Sequence, residues 1–432
     1  MKGWSTLLLL MVVVSLVSCS TATLGRLGKK NLHDQYGRKL EQAGLKGTAL
    51  GQQWFTAAAA ALQSPQTITL PYRQTGYFAG DKPRAVGLRF TAPRGARLHF
   101  RVESKALSTF TLYTDLWETE PGGEPNLVVS LDSTGNEFTH EVEDADETYI
   151  LRLQPELLSS GEYTLSISVG PSLAFPVAGH KGNIASVWGD DRDAGARRHE
   201  GIDIFAPRGT PVVAAADGVT ARVGDNNLGG KVIFLRPKGK NVSLYYAHLD
   251  SQLVTSGQRV SAGDTIGLVG NTGNARTTPP HLHFGIYTAG GAIDPFVWVS
   301  KEVKRAGSLP LQANKLNTYY RTTKDIRTDS ITIERNTVLL ATDASTLNLM
   351  ALLPTGTIAA VPINNTQRID NQIDIYTLRD SLPLLEAPLI SAPVKRKLLP
   401  GVPVRVHGYY KDFAFVRTEE DEEGWMPRSS LR

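Results

Sequence analysis

Nine histidines occur in the 432 residues, and four of them stand between positions 199 and 283 at metal-ligand spacings. In His199-Glu200-Gly201-Ile202-Asp203, an extended chain puts residues two and four apart on one face. His199 and Asp203 then point together, while Ile202 and Ile204 turn the other way. In His281-Leu282-His283-Phe284-Gly285-Ile286, the apolar Leu282, Phe284 and Ile286 make one face of a strand and both histidines project from the other. His248 ends a third segment, Tyr245-Tyr246-Ala247-His248-Leu249, on an expected strand begun at Val242, and only one of the two tyrosines can share its face. Two imidazoles and one carboxylate hold zinc with one coordination position open, as in catalytic rather than structural sites. Such a metal lowers the pKa of water from about 16 to about 7. Hydrolysis also needs a proton acceptor and a group that steadies the tetrahedral oxyanion. No His-Glu-x-x-His motif supplies them, and Glu200 alternates to the wrong face beside His199. The two remaining histidines are the candidates, and spacing alone leaves open whether His281 or His283 takes the metal.

The run from His199 to Ala214 closely resembles the lysostaphin/LytM-type zinc endopeptidases. So do Tyr246-Ala247-His248-Leu249, Gly257-Gln258-Arg259-Val260 with Gly263-Asp264-Thr265-Ile266-Gly267, and Pro280-His281-Leu282-His283-Phe284. The likeness covers about residues 180–300. It implies an antiparallel β-fold that hydrolyses peptide bonds of peptidoglycan, in stem cross-links or bridges. Carried over position by position, it makes His199, Asp203 and His283 the Zn2+ ligands and His248 and His281 the catalytic pair. Gly285 stands where many relatives have Glu, and Arg276-Thr277-Thr278-Pro279 replaces a Ser/Gly-rich approach to the His-x-His strand. These departures bear on the groove rather than the metal site. Ser186-Val187-Trp188-Gly189-Asp190, leading through Arg192 to Arg197-Arg198, resembles a wall of that groove, and Asn183 reads as a turn residue.

The elements that must position these residues are mainly β. Alternating apolar runs over 67–170, such as Leu98, Phe100, Val102 and Tyr163, Leu165, Ile167, predict an accessory antiparallel β-sandwich. The zinc peptidase domain is expected at 177–300. Residues 372–432, with Gly424-Trp425-Met426, resemble a bacterial SH3-like barrel, and 312–366 reads as a diverged copy. Residues 19–66 read as a tether with short helices. His33, His99, His140, His180 and His407 are expected to be structural.

Hydrophobic residues make up 41% of the chain and charged residues 20%, which excludes a disordered or multi-span membrane protein. A net charge of +4 is too small for a nucleic-acid footprint. The single cysteine, Cys19, follows Lys2, an apolar run from Leu7 and then Leu16-Val17-Ser18. Residues 1–18 read as a signal peptide, and the Leu-Val-Ser-Cys run resembles a bacterial lipobox that makes Cys19 a lipid anchor. Ser20 in place of Asp favours the outer membrane, facing the periplasm. The expected partners are peptidoglycan, the membrane and envelope proteins met through the SH3-like region. Two rival readings exist. A carrier barrel needs a modified lysine at a hairpin tip, and none stands between Val260 and Pro280. A non-catalytic LytM-type regulator that activates another cell-wall hydrolase typically lacks zinc ligands, whereas all five positions are intact here.

Overall fold

One apolar face organises the sheet that carries the histidines. Leu282, Phe284 and Ile286 of the strand His281–Thr288 are fully buried with Ile202, Ile204, Leu244 and Tyr246 in a single core. Burying each such side chain contributes about 1.5–3 kcal/mol. A one-residue slip would expose the whole set, so the core fixes the register. In that register Asp203 lies opposite His283 and Phe205 opposite His281 on one side, while Ala247 lies opposite His283 on the other. The central strands are thus Ile202–Phe205, His281–Thr288 and Ser243–Gln252, all antiparallel, within a sheet of ten described strands.

The computed structural model describes residues 31–431 apart from 107–109, 120–122, 133–134, 145–146, 180–181, 193–194 and 328–330. The signal segment with Cys19, and His180, lie outside the described residues. The described chain is mainly β. Between Gln66 and Pro171 two sheets face each other over Leu88, Phe90, Leu98, Phe100, Leu151 and Leu165. Two helices precede them, Leu32–Gln42 capped by the Asn31 side chain and Ala49–Gln63 capped by Thr48. Trp54 docks the second helix by donating Nε1–H to the Pro155 carbonyl at 2.9 Å, and His33 stacks on Trp54 and bonds Gln154.

The 312–366 segment does not stand apart. Its strand Val338–Ser345 pairs antiparallel with Tyr72–Phe78, so its strands continue one sheet of the sandwich. The seam is pinned by buried Asp343, which accepts from Tyr163 Oη at 2.6 Å, Arg84 Nη2 at 2.9 Å and Thr342 Oγ1 at 2.8 Å. Six strands between Asp374 and Pro427 form a further antiparallel sheet, whose Trp425 packs with Phe415, Leu385 and Val338. The sandwich and the histidine-bearing sheet are also joined. Val169 and Lys304 exchange backbone hydrogen bonds, Leu173 N–H donates to the Trp298 carbonyl, and Lys240 pairs with Glu141. Gly95, at φ +85°, gives Trp298 its place, since a Cβ there would meet the indole at 2.5 Å. Among the described residues no helix is long and apolar enough to cross a membrane.

Candidate metal centre

Strand alternation delivers Asp203 and His283 from neighbouring strands, and their donor atoms meet at 3.0 Å, Oδ1 to Nδ1. His199 arrives differently. The strand begins at Ile202 rather than at His199, so no continuous extended segment places this residue. Its backbone bonds the 189–190 turn in both directions, and its ring is held by Nδ1–H donating to the Val187 carbonyl at 2.8 Å. That bond leaves the Nε2 lone pair facing inward, 3.1 Å from Asp203 Oδ1 and 3.0 Å from His283 Nδ1. The loop reaches the face that alternation assigned to His199, by another route.

The three donors fit a metal. A tetrahedron with bonds of about 2.0–2.1 Å has edges of about 3.3 Å, close to the 3.0–3.1 Å separations found. Two nitrogens and a carboxylate are the ligand types of zinc, and the outward bond from His199 to a carbonyl is the usual support for a ligating imidazole. Among the described residues His199, Asp203 and His283 are the group arranged to hold an ion. Burial alone would raise the Asp203 carboxyl, but the adjoining His199 and His283 imidazoles overcome this and hold it far below the usual range. Burial pushes His283 down, against the pull of Asp203.

His248 and His281 complete the constellation. His281 Nδ1–H donates to the Pro279 carbonyl at 2.8 Å and His248 Nδ1–H to the Thr272 carbonyl at 2.9 Å. Both rings therefore present Nε2, their centroids lie 5.0 Å apart, and His281 Nε2 is 3.9 Å from Asp203 Oδ1. Burial, with His283 and His281 nearby, pushes His248 down to about 4. Regular alternation would have sent His248 into the core on the Tyr246 side. Instead, a register shift against the strand Gly230–Pro237 places an extra residue between Tyr246 and Leu249, both of which are core, and His248 adopts φ +61°. A bulge re-aims its side chain, and such a backbone costs about 1–3 kcal/mol that the surrounding sheet must offset. Tyr245, not Tyr246, consequently sits on the groove side. All five expected residues meet in one groove of about 1380 Å³.

Two residues that composition did not single out belong to the centre. Arg192 Nη2 donates to Asp203 Oδ2 at 2.8 Å. Gly201 lies so close to the ligand strand that a Cβ would meet the Phe284 carbonyl at 2.6 Å and His283 Cε1 at 2.7 Å. Glycine between His199 and Ile202 was the available signal for the latter; the segment holding Arg192 resembled a groove wall, with nothing to tie this arginine to Asp203.

Comparisons with known proteins cover the stretch that carries this groove. Residues 197–295 match peptidase family M23. An L-Ala--D-Glu endopeptidase of Bacillus subtilis (strain 168) is 42% identical over 123 residues, 26% of this chain and 37% of the relative. Peptidoglycan DD-endopeptidase ShyC of Vibrio cholerae is 42% identical over 88 residues, 20% of either chain. The chain thus spans well under half the length of these curated relatives. Among solved structures, the catalytic domain of lysostaphin from Staphylococcus simulans is 32% identical, covering 27% of this chain and 90% of that one with a TM-score of 0.25. Residues 197–295, with His199, Asp203, His248, His281 and His283 converging in one groove, are a peptidase family M23 domain.

Proposed function

We propose that the protein is a zinc-dependent endopeptidase that cleaves peptide bonds of peptidoglycan, in stem cross-links or bridges, at the bacterial cell envelope. The observation that carries this reading is the convergence of three metal donors and two inward-facing imidazole Nε2 atoms on one open groove. The relatives named as an L-Ala--D-Glu endopeptidase and a peptidoglycan DD-endopeptidase support the substrate class. Their names specify different bonds, so the bond cut here follows from the groove rather than from the metal site. When bound, zinc supplies Lewis acidity at the peptide carbonyl and acidifies water beside it.

The chain's own residues supply the proton traffic. His248, neutral at pH 7, accepts a proton at Nε2 as water adds to the carbonyl and returns it from the same atom to the leaving amine. His281, its ring fixed by the Pro279 carbonyl, steadies the developing negative oxygen when Nε2 carries a proton. Phe234, Tyr245 and Tyr287 on one part of the groove, and Arg197, Arg198 and Glu200 on another, offer apolar and charged contacts to an extended peptide. As part of the same proposal, Cys19 carries the lipid anchor in the outer membrane, and the sandwich and C-terminal sheets, read as SH3-like, hold the enzyme near the wall or envelope partners.

The test is incubation of the purified protein with intact sacculi and mass spectrometry of what is released. New amino termini within stem or bridge peptides, abolished by a chelator and by His281→Ala, are expected. Intact sacculi combined with stimulation of a separate amidase would replace this reading with that of a regulator.

A further inference from the structure

We propose that Arg192 is a positioning residue for the metal centre, holding the Asp203 carboxylate so that Oδ1 faces the two ligand histidines. The inference rests on the zinc reading above. Asp203 uses its two oxygens differently: Oδ1 lies 3.1 Å from His199 Nε2 and 3.0 Å from His283 Nδ1, whereas Oδ2 accepts from Arg192 Nη2 at 2.8 Å. The same Nη2 donates to Ser186 Oγ at 2.6 Å, and that hydroxyl donates to Asp190 Oδ2 at 2.9 Å. The Val187 carbonyl holds His199 Nδ1 in the same turn. Residues 186–192 thus grip the outer atoms of two of the three ligands, and Arg192 closes the grip on the carboxylate.

An aspartate with both oxygens free rotates about its last torsion, and that freedom is lost again each time metal binds. A charge-assisted N–H···O bond to the outer oxygen removes it in advance. The Arg192 side chain is itself two-thirds covered, so its fork is held in place as well. Lysine preserves the charge but replaces the planar guanidinium with a compact ammonium on a flexible stem, which does not reproduce the shared contact to Asp203 and Ser186. Loss of an outer partner of this kind typically weakens metal binding about 10–100-fold.

The experiment measures zinc dissociation constants on the full purified chain by competition with a chromogenic chelator, alongside thermal unfolding of the metal-free proteins. Wild type binds one zinc, Asp203→Ala binds none, Arg192→Gln binds about 10–100-fold more weakly, and Arg192→Lys falls between wild type and Arg192→Gln, with metal-free unfolding midpoints unchanged. Arg192→Gln within twofold of wild type overturns the inference and leaves the zinc reading standing. Should Arg192→Gln not fold, Arg192→Lys decides: wild-type affinity in a folded Arg192→Lys overturns the inference. A wild-type protein that takes up no zinc overturns both the inference and the reading beneath it.

Discussion

Two buried aspartates, Asp203 and Asp343, are similarly sequestered and do different work. Each is less than a tenth exposed, each is bonded through both oxygens, and each has an arginine against it. Around Asp343 the partners are a phenol, a guanidinium and a hydroxyl, donors that satisfy a carboxylate and offer no metal-ligating nitrogen. Around Asp203 the partners at Oδ1 are imidazole nitrogens, which lose their protons readily, and the cluster borders an open groove. Burial of a carboxylate is therefore no mark of function. What distinguishes the site is a set of donors able to turn lone pairs toward one point that substrate can reach.

The sharpest way to break this contrast is to remove each carboxylate. Asp203→Ala should abolish zinc uptake and cleavage of sacculi together. Asp343→Ala should leave zinc stoichiometry intact and destabilise the fold by about 3–5 kcal/mol, because Arg84 is left buried without its partner. Zinc content and denaturant unfolding separate the outcomes; loss of zinc in the Asp343 variant would sink the distinction. Next in size is His248→Ala, which should lower the cleavage rate about 10²–10⁴-fold while zinc affinity stays near wild type. If zinc leaves with His248, that residue is a ligand rather than a proton carrier.

A matched pair of glycines sharpens the comparison further. Gly201 abuts the His283 ring, and Gly76 abuts Asp343 and Tyr163, where a Cβ would meet Oδ1 at 2.1 Å and the phenol ring at 2.2 Å. In Gly201→Ala the neighbour able to yield is the ligand imidazole, so zinc affinity should fall about tenfold or more, equivalent to about 1.4 kcal/mol. In Gly76→Ala the neighbours are locked by hydrogen bonds, so stability should fall by about 1–3 kcal/mol with zinc affinity unchanged. Equal effects of the two substitutions on zinc would remove the reason for treating the clusters as different.

How much of this was legible in the chain follows from which signals are local. His281 and His283 were readable because alternation with Leu282, Phe284 and Ile286 settles both the strand and its buried face. His199 and Asp203 were paired on the right face although the strand between them is interrupted, since the loop at 199–201 is anchored by backbone bonds to residues 189–190 that no spacing encodes. His248 was a candidate because it was left over from the metal set, and the resemblance gave it its catalytic role; a bulge depends on which register the opposing strands prefer, and nothing in Tyr246-Ala247-His248-Leu249 announces it. Arg192 was legible as part of a segment resembling the groove wall, but its bond to Asp203, 11 positions away, was not, because no spacing encodes that contact. The pairing of Tyr72–Phe78 with Val338–Ser345 joins segments far apart in sequence, and alternating patterns show that strands exist without showing which edges meet.

Glu141 offers the mildest test, because it stands apart from both aspartates as a partly exposed carboxylate, about two-thirds covered, at the junction of the sandwich and the peptidase sheet. Burial alone would raise it, but Lys240 from the peptidase side and Arg97 from its own sheet overcome this and hold it below the usual carboxylate range. A carboxyl lowered by folding stabilises the folded state above its unfolded pKa of about 4.3, and that contribution disappears as pH falls through the lowered value. Wild type should therefore exceed Glu141→Gln in thermal midpoint at pH 6–7 and converge on it in acid. The gap should be small, since partly exposed ion pairs contribute at most about 1 kcal/mol. Raising the salt concentration should narrow it at neutral pH, as screening weakens a pair open to solvent. The Asp343 cluster, closed to water, should show far less sensitivity to salt. A gap that is constant from pH 7 to pH 3 would mean that Glu141 holds the junction by packing rather than by charge, and would place it with Asp343 as a structural residue of the seam.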